Sequence, residues 1–206
     1  MAKTGELVSG LRQQAGPFSR YMVGIAGPPG SGKSTLSASL CEALLQAGEK
    51  TVVVPMDGFH FDDAVLNARG HRARKGAPHT FDVAGFEVLL RRIKAQEPDI
   101  AIPVFDRSIE LARAGAAIIS AEAKFILVEG NYLLLNQPGW QRLKPLFDFT
   151  IFLKVPEAEL ERRLLARWRG FGFDEQAARA KALGNDIPNA HTVLAESAAA
   201  DLTLQD

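Results

Sequence analysis

Cysteine is nearly absent: Cys41 is the only one in 206 residues, so no internal disulfide framework is available. Nor is there an excess of either charge. Lys plus Arg and Asp plus Glu both number 24, and a general nucleic-acid binder would carry a basic surplus. The four histidines, His60, His71, His79 and His191, lack metal-ligand spacing, which disfavours a structural zinc site. Internal repeats, low-complexity tracts, a recognisable leader peptide and an apolar run of bilayer-spanning length are all missing. The expectation is a soluble cytoplasmic protein with neither nucleic-acid nor membrane partners. What is present, 47% hydrophobic and 23% charged residues, suits one α/β domain over 1–206 with a substantial core and a small lid.

The chain is organised around the stretch from Tyr21 to Gly48, YMVGIAGPPGSGKSTLSASLCEALLQAG. Tyr21 to Ala26 has the length and apolar character of a buried strand. It breaks into GPPGSGKS, Gly27 to Ser34, which matches G-x-x-x-x-G-K-[ST] at every fixed position. Leu36, Leu40 and Leu44 then recur at helical spacing, and Gly48 supplies a stop. Glycines allow a tight turn whose N–H groups converge on phosphate oxygens, and the helix that follows aims its positive end at the same place. Gly27, Pro28, Pro29, Gly30, Ser31, Gly32, Lys33, Ser34 and Thr35 are therefore the nucleotide-binding candidates. Lys33 is expected at the β- and γ-phosphates, facing ligand rather than packed in the core, and Ser34 at a magnesium ion. The competing reading, a glycine-rich loop that only joins strand to helix, is disfavoured by these flanks.

Along the rest of the chain, Leu7 and Leu11 suggest a short leading helix. Thr51 to Met56 reads as a second strand, Lys124 to Val128 as a third, Phe149 to Val155 as a fourth and Ala200 to Leu204 as a last short one. Asp82 is placed to cap a helix from Val83 to about Ala95, with Pro98 ending it. Pro103 to Asp106 reads as extended, Pro156 opens a helix from Glu157 to about Trp168, and Phe171 to Asn185 reads as a mobile helical stretch. Strands alternating with helices imply a parallel sheet of about five strands covered on both faces. Right-handed crossovers would bring Gly27 to Ser34, Asp57, Glu129 and Lys154 to one sheet edge, where ligands of such folds bind.

Two carboxylates stand out at that edge. Glu129 ends an apolar strand and is either a magnesium-side acid or an ordinary strand-end acid touching water. Asp57 is either the group that orients and deprotonates an acceptor hydroxyl or simply the first residue of an Asp-Gly turn. Arg163 and Arg167, with Arg169 just beyond, share a helix that is either a phosphate-clamping lid or an exposed face on which Glu159 pairs with Arg163. The basic run Arg69 to Lys75 reads better as a solvated loop than as an anion site.

MDGFH (56–60), RKGAPHTFD (74–82), PVFDRSIE (103–110) and FILVEGNYLLL (125–135) occur in this order after the glycine loop. Together they resemble the P-loop small-molecule kinases that include uridine kinase, phosphoribulokinase and bacterial pantothenate kinase. The resemblance runs from about Gly24 to Leu204 and is strongest to a bacterial subgroup labelled fructose transport system kinases. It implies a three-layer α/β P-loop NTPase fold of the nucleoside-kinase type, with a five-stranded parallel sheet and a helical lid over about 163–184. ATP and Mg2+ are the implied cofactors, and the implied partner is a small hydroxyl acceptor: a sugar first, or a nucleoside or pantothenate-like molecule. Asp57 takes the role of base or orienter, Lys33, Glu129 and Arg167 complete the catalytic set, and Ser34 and Glu129 hold the metal. Arg163 and Arg169 join the nucleotide site. His60, Asp106, Arg107 and Glu110 join Asp57 on the substrate side, with a solvated loop the alternative for the last three. The chain departs from its relatives at Phe105, Asp106 and Arg107, where pantothenate kinases carry a histidine after a P-V-Y segment, and uridine kinases place aromatic residues and a histidine on the substrate differently, so neither known specificity transfers. A P-loop ATPase, a nucleotide switch or a non-catalytic nucleotide binder remains the alternative, although no N-K-x-D element is present.

Overall fold

The computed structural model describes residues 2–205 and begins with α1 (Ala2–Ala15). Strand β1 (Tyr21–Ala26) leads through the glycine loop to α2 (Lys33–Gln46), and β2 (Thr51–Pro55) follows. After a 3-10 turn over Met56–Phe59 come α3 (Asp63–Ala68), α4 (Val83–Lys94) and a hairpin of β3 (Ile100–Asp106) and β4 (Leu111–Ile119). The chain then forms β5 (Phe125–Gly130), β6 (Phe149–Lys154), α5 (Glu157–Gly170), α6 (Glu175–Lys181), a π-helical turn (Ala182–Asp186), α7 (Ile187–Glu196) and β7 (Leu202–Gln205). Five strands in the order β2-β5-β1-β6-β7 make one sheet in which every pairing is parallel.

Alternation along β1 explains the layering. Tyr21, Val23 and Ile25 face one side and pack with Leu40 and Leu44 of α2 and with Val8 and Leu11 of α1. The leading helix is thus part of one outer layer. Met22 and Ala26 face the other side, where Phe86, Leu90 and Ile93 of α4 join Tyr132 and Trp140. A third cluster, Leu160, Leu164, Ala182, Ile187 and Ala190, ties α5 to the π turn and α7.

Asp82 caps α4 through a bond from Gly85 N–H to its carboxylate (2.9 Å), as its position predicts. Pro98 does not end that helix. Gln96, at φ +59°, adopts a left-handed turn, and the Gln96 and Glu97 N–H groups bond back to Ile93 and Arg92 carbonyls. The extended segment at 103–106 is one strand of an antiparallel hairpin whose second strand, β4, is mostly exposed and shows no amphipathic alternation. The stretch 171–185 resolves into α6 and most of the π turn, and α7 lies beyond it.

One buried cation knits these layers together. The Arg20 guanidinium, 6% exposed, donates to the carbonyls of Ile93, Glu97, Ser120, Ala121 and Ala123, the ends of α4 and of the hairpin.

Candidate active site

Parallel pairing sets β1, β2 and β5 in register, Ala26 beside Gly130 and Pro55 beside Glu129, so the chain leaves all three at one edge. A cavity of about 880 Å³ opens there, between the glycine loop, the β3–β4 turn and the α5–α7 segment.

The glycine loop turns through the Ser31 N–H bond to the Pro28 carbonyl, and Gly32, at φ +91°, starts α2 from a left-handed conformation that a side chain would strain. Lys33 then lies under the loop rather than in the open. It is 7% exposed, and its Nζ donates to the Pro28 carbonyl (2.9 Å) and to Ser31 Oγ (3.5 Å). Burial lowers its pKa to about 8, while the nearby charges of Glu129 and Asp57 resist the fall. Ser34 Oγ donates to Glu129 Oε1 (3.3 Å). Burial, followed by the charge of Asp57, pushes the Glu129 carboxyl above the usual carboxylate range.

Asp57 lies in the 3-10 turn after β2, where Gly58 lets the Pro103 carbonyl of the hairpin approach too closely for any side chain. The hairpin delivers Arg107, whose Nη2 donates to Asp57 Oδ2. His60 Nδ1–H donates to the Asp57 carbonyl (2.8 Å), and its ring sits against Phe81 and Phe105, with centroids at 4.0 and 4.8 Å. Burial is the main reason its pKa falls.

On the far wall Arg163 bonds Glu159 (2.7 Å) and borders the cavity. The Arg167 guanidinium, half-buried, lies over the rings of Phe171 (5.7 Å) and Trp168 (5.9 Å). Burial, then the charge of Arg107, lowers its pKa.

Of the sequence candidates, Pro29, Gly30, Gly32, Lys33, Ser34, Thr35, Asp57, His60, Arg107, Glu110, Glu129, Arg163 and Arg167 line this cavity. Gly27, Pro28 and Ser31 do not line it; the Pro28 carbonyl and Ser31 Oγ accept from Lys33 instead. Two candidates are drawn elsewhere. Asp106 accepts from Ser108 N (3.1 Å) and Oγ (2.6 Å) and pairs with Arg113, closing the hairpin turn. Arg169 pairs with Glu175 (2.6 Å) on the exposed side of α5. Lys154 reaches the same sheet edge but does not line the cavity.

Residues of no recognisable motif also form the wall. Asp186, in the π turn, accepts from Trp168 Nε1 (2.6 Å), and burial raises its pKa. The basic run is structural in large part: Arg74 donates to the Gly184 carbonyl and Asn189 Oδ1, while Arg72 and Lys75 share Asp63. Nothing in the spacing announces the partners of Arg74, which lie 110 and 115 residues away.

The donors suit magnesium and a triphosphate. No group of three His, Cys, Asp or Glu converges among the described residues. One hydroxyl and one carboxylate, Ser34 and Glu129, are the hard oxygen pair that magnesium takes alongside phosphate and water. Among the described residues no helix is long and apolar enough to cross a membrane.

A parallel sheet whose glycine loop links the central strand to a helix defines a P-loop nucleotide-binding protein. Comparison narrows this. The chain is 37% identical over 196 residues to YggC of Escherichia coli K12, covering 94% of this chain and 81% of YggC. It is 33% identical over 195 residues to "Putative uridine kinase C227.14" of Schizosaccharomyces pombe, covering 90% and 83% of the two chains. It superposes on the crystal structure of a "putative fructose transport system kinase" from Silicibacter sp. TM1040 with a TM-score of 0.93 and 44% identity over 98% of both chains. The family described as "Methylmalonyl Co-A mutase-associated GTPase MeaB" matches residues 1–60 alone, the segment of α1, β1, the glycine loop, α2 and β2. The chain belongs to the P-loop kinases of the uridine and pantothenate kinase type.

Proposed function

We propose that the chain, acting as one kinase domain over 1–206 with a lid at about 163–184, transfers the γ-phosphoryl group of ATP to a hydroxyl of a small metabolite, a sugar such as fructose before a nucleoside or pantothenate. The observation that carries the reading is the meeting of Asp57 with Lys33, Ser34 and Glu129 on one cavity wall. A pure ATPase or switch has no need of a carboxylate facing an acceptor pocket. The fructose reading draws on the likeness to the fructose transport system kinase of Silicibacter.

In this mechanism Ser34 and Glu129 would hold magnesium, which would supply charge neutralisation at the phosphate oxygens. Lys33 leaves its loop carbonyl for the β- and γ-phosphates. Asp57 takes the proton of the acceptor hydroxyl as the acceptor oxygen bonds to the γ-phosphorus and the bond to the bridging oxygen breaks, releasing ADP. Arg167 and Arg163 face the charge that develops on the transferred group, and the aromatic rings beside Arg167 keep water from it. ADP release measured with fructose, fructose 6-phosphate, uridine, pantothenate and UMP tests the reading. ADP release at the no-acceptor background throughout, with ATP hydrolysed, would favour the ATPase.

A further inference from the structure

Among the described residues no carboxylate pairs with the Arg167 guanidinium, which lies instead over the rings of Phe171 and Trp168. A guanidinium stored against rings gives up a weaker contact than one locked to a carboxylate, so it moves to an incoming phosphate at less cost. Yet a carboxylate stands close by. Asp186 borders the same cavity as Arg167. Burial sets the direction of both pKa shifts, lowering that of Arg167 and raising that of Asp186. Among the charges that oppose those shifts, Asp186 is foremost on Arg167, and Arg167 acts on Asp186 more strongly than Lys181 or Arg107 does.

A bond made elsewhere keeps the two apart. Trp168 Nε1 donates to Asp186 Oδ2 (2.6 Å) across 18 residues, from α5 to the π turn, and in that pose neither oxygen of Asp186 pairs with Arg167. Asp186 closes the π turn Ala182–Asp186, a local helix form that recurs at functional sites. The indole is itself fixed. Phe171 and Phe173 meet it edge-on, with centroids at 5.8 and 5.3 Å. The Phe173 N–H bonds back to the Trp168 carbonyl (3.2 Å), a reversal that Gly172 permits at φ +86°. Lys181 lies over the same indole (5.5 Å) but draws Asp186 less strongly, so a released carboxylate goes to Arg167 first.

We propose that Trp168 is a positioning residue whose indole N–H diverts Asp186 from Arg167, leaving Arg167 available to the terminal phosphate of the nucleotide. The face of the ring stores the guanidinium, and its N–H edge detains the nearest rival for it. Without that bond Asp186 swings to Arg167, and the phosphate must then compete with an ion pair already made. The inference rests on the kinase reading in one respect, that Arg167 meets the transferred phosphate.

The test compares two affinities of the full chain, for a non-hydrolysable ATP analogue and for ADP, each measured calorimetrically with magnesium. Their ratio isolates the terminal phosphate and needs no acceptor. Arg167→Met is expected to lower the preference for the analogue about tenfold. Trp168→Phe, which keeps a ring but loses the N–H, is expected to lower it about fivefold. Adding Asp186→Asn to Trp168→Phe is expected to recover most of that loss, because a neutral amide makes no ion pair with Arg167. A double variant as weak as Trp168→Phe overturns the proposal, since the indole then acts by packing alone. So does Trp168→Phe with the wild-type preference, while Arg167→Met remains impaired. Exchange of the Trp168 indole N–H in the wild type, followed by NMR, serves should Trp168→Phe not fold. That proton is expected to stay protected with the analogue bound, and loss of protection on analogue binding overturns the proposal. Arg167→Met without effect removes the phosphate role of Arg167 from the kinase reading, and failure of the analogue to bind removes that reading whole; either takes this proposal with it.

Discussion

Replacing Lys33 by Met is expected to stabilise the protein while abolishing turnover. Lys33 is 7% exposed, and burial lowers its pKa to about 8 from an ordinary 10.5. That gap corresponds to about 3 kcal/mol spent on keeping the buried group charged. Met fills the same space without charge, but leaves the Pro28 carbonyl without its lysine donor, a loss of about 1 kcal/mol. The net gain is about 2 kcal/mol, or roughly 4–8 °C in Tm for a chain of this size. The pH dependence has a definite sign. Below pH 8 the native and unfolded chains both hold the proton, and the wild type carries the full penalty. Between pH 8 and 10.5 the native lysine gives up its proton before the unfolded one, so wild-type stability rises and its deficit against the variant closes. Thermal unfolding by circular dichroism across this range, with ADP release measured in parallel, provides the check. A variant that melts at or below the wild type under pH 8, or a difference that does not shrink on going to higher pH, would refute the reasoning. Full activity in the variant would refute the phosphate-binding role.

Three further outcomes are expected. Asp57→Asn lowers kcat by about 10²–10⁴ with analogue affinity retained, whereas Glu129→Gln raises the magnesium concentration needed for half-maximal rate; a magnesium titration showing the opposite pattern would exchange the two roles. Amide hydrogen exchange over 163–184 slows when an ATP analogue binds, since Arg163 and Arg167 gain an anion there; unchanged exchange would make this stretch a rigid helical wall. Arg20→Met costs about 3 kcal/mol in urea unfolding, because it removes the common donor to five carbonyls that close α4 and the hairpin; a loss under about 1 kcal/mol would mean that water replaces it.

How much of this was legible in the sequence depends on the range of the interaction involved. The strand, glycine loop and helix from Tyr21 to Gln46 follow from periodicity and from glycine geometry, both local, and the structure matches them closely. The Asp82 cap is equally local. Helix α4 ends where the sequence puts it, near Ala95, but the stop comes from a left-handed Gln96 rather than from Pro98, and no glycine signals it. Strand β4 carries no such signal, since most of its residues are exposed and no alternation of apolar and polar side chains marks it.

The candidate site divides in the same way. The sequence by itself determined that Lys33, Ser34, Asp57 and Glu129 share one edge, since parallel strands joined by right-handed crossovers deliver their ends together. Only the tertiary structure decided which candidates reach the cavity. Asp106 and Arg169 had partners a few residues away, Ser108 with Arg113 and Glu175, and those short contacts took them. Arg107 had its partner 50 residues back, and meets it because Gly58 admits the hairpin to the turn that carries Asp57. The motif alone leaves Lys33 facing ligand, yet the fold buries it under its own loop. Periodicity and motif report what a residue does to its neighbours in the chain; which charges face each other is set by packing of whole segments, and that packing exists only once the layers have closed.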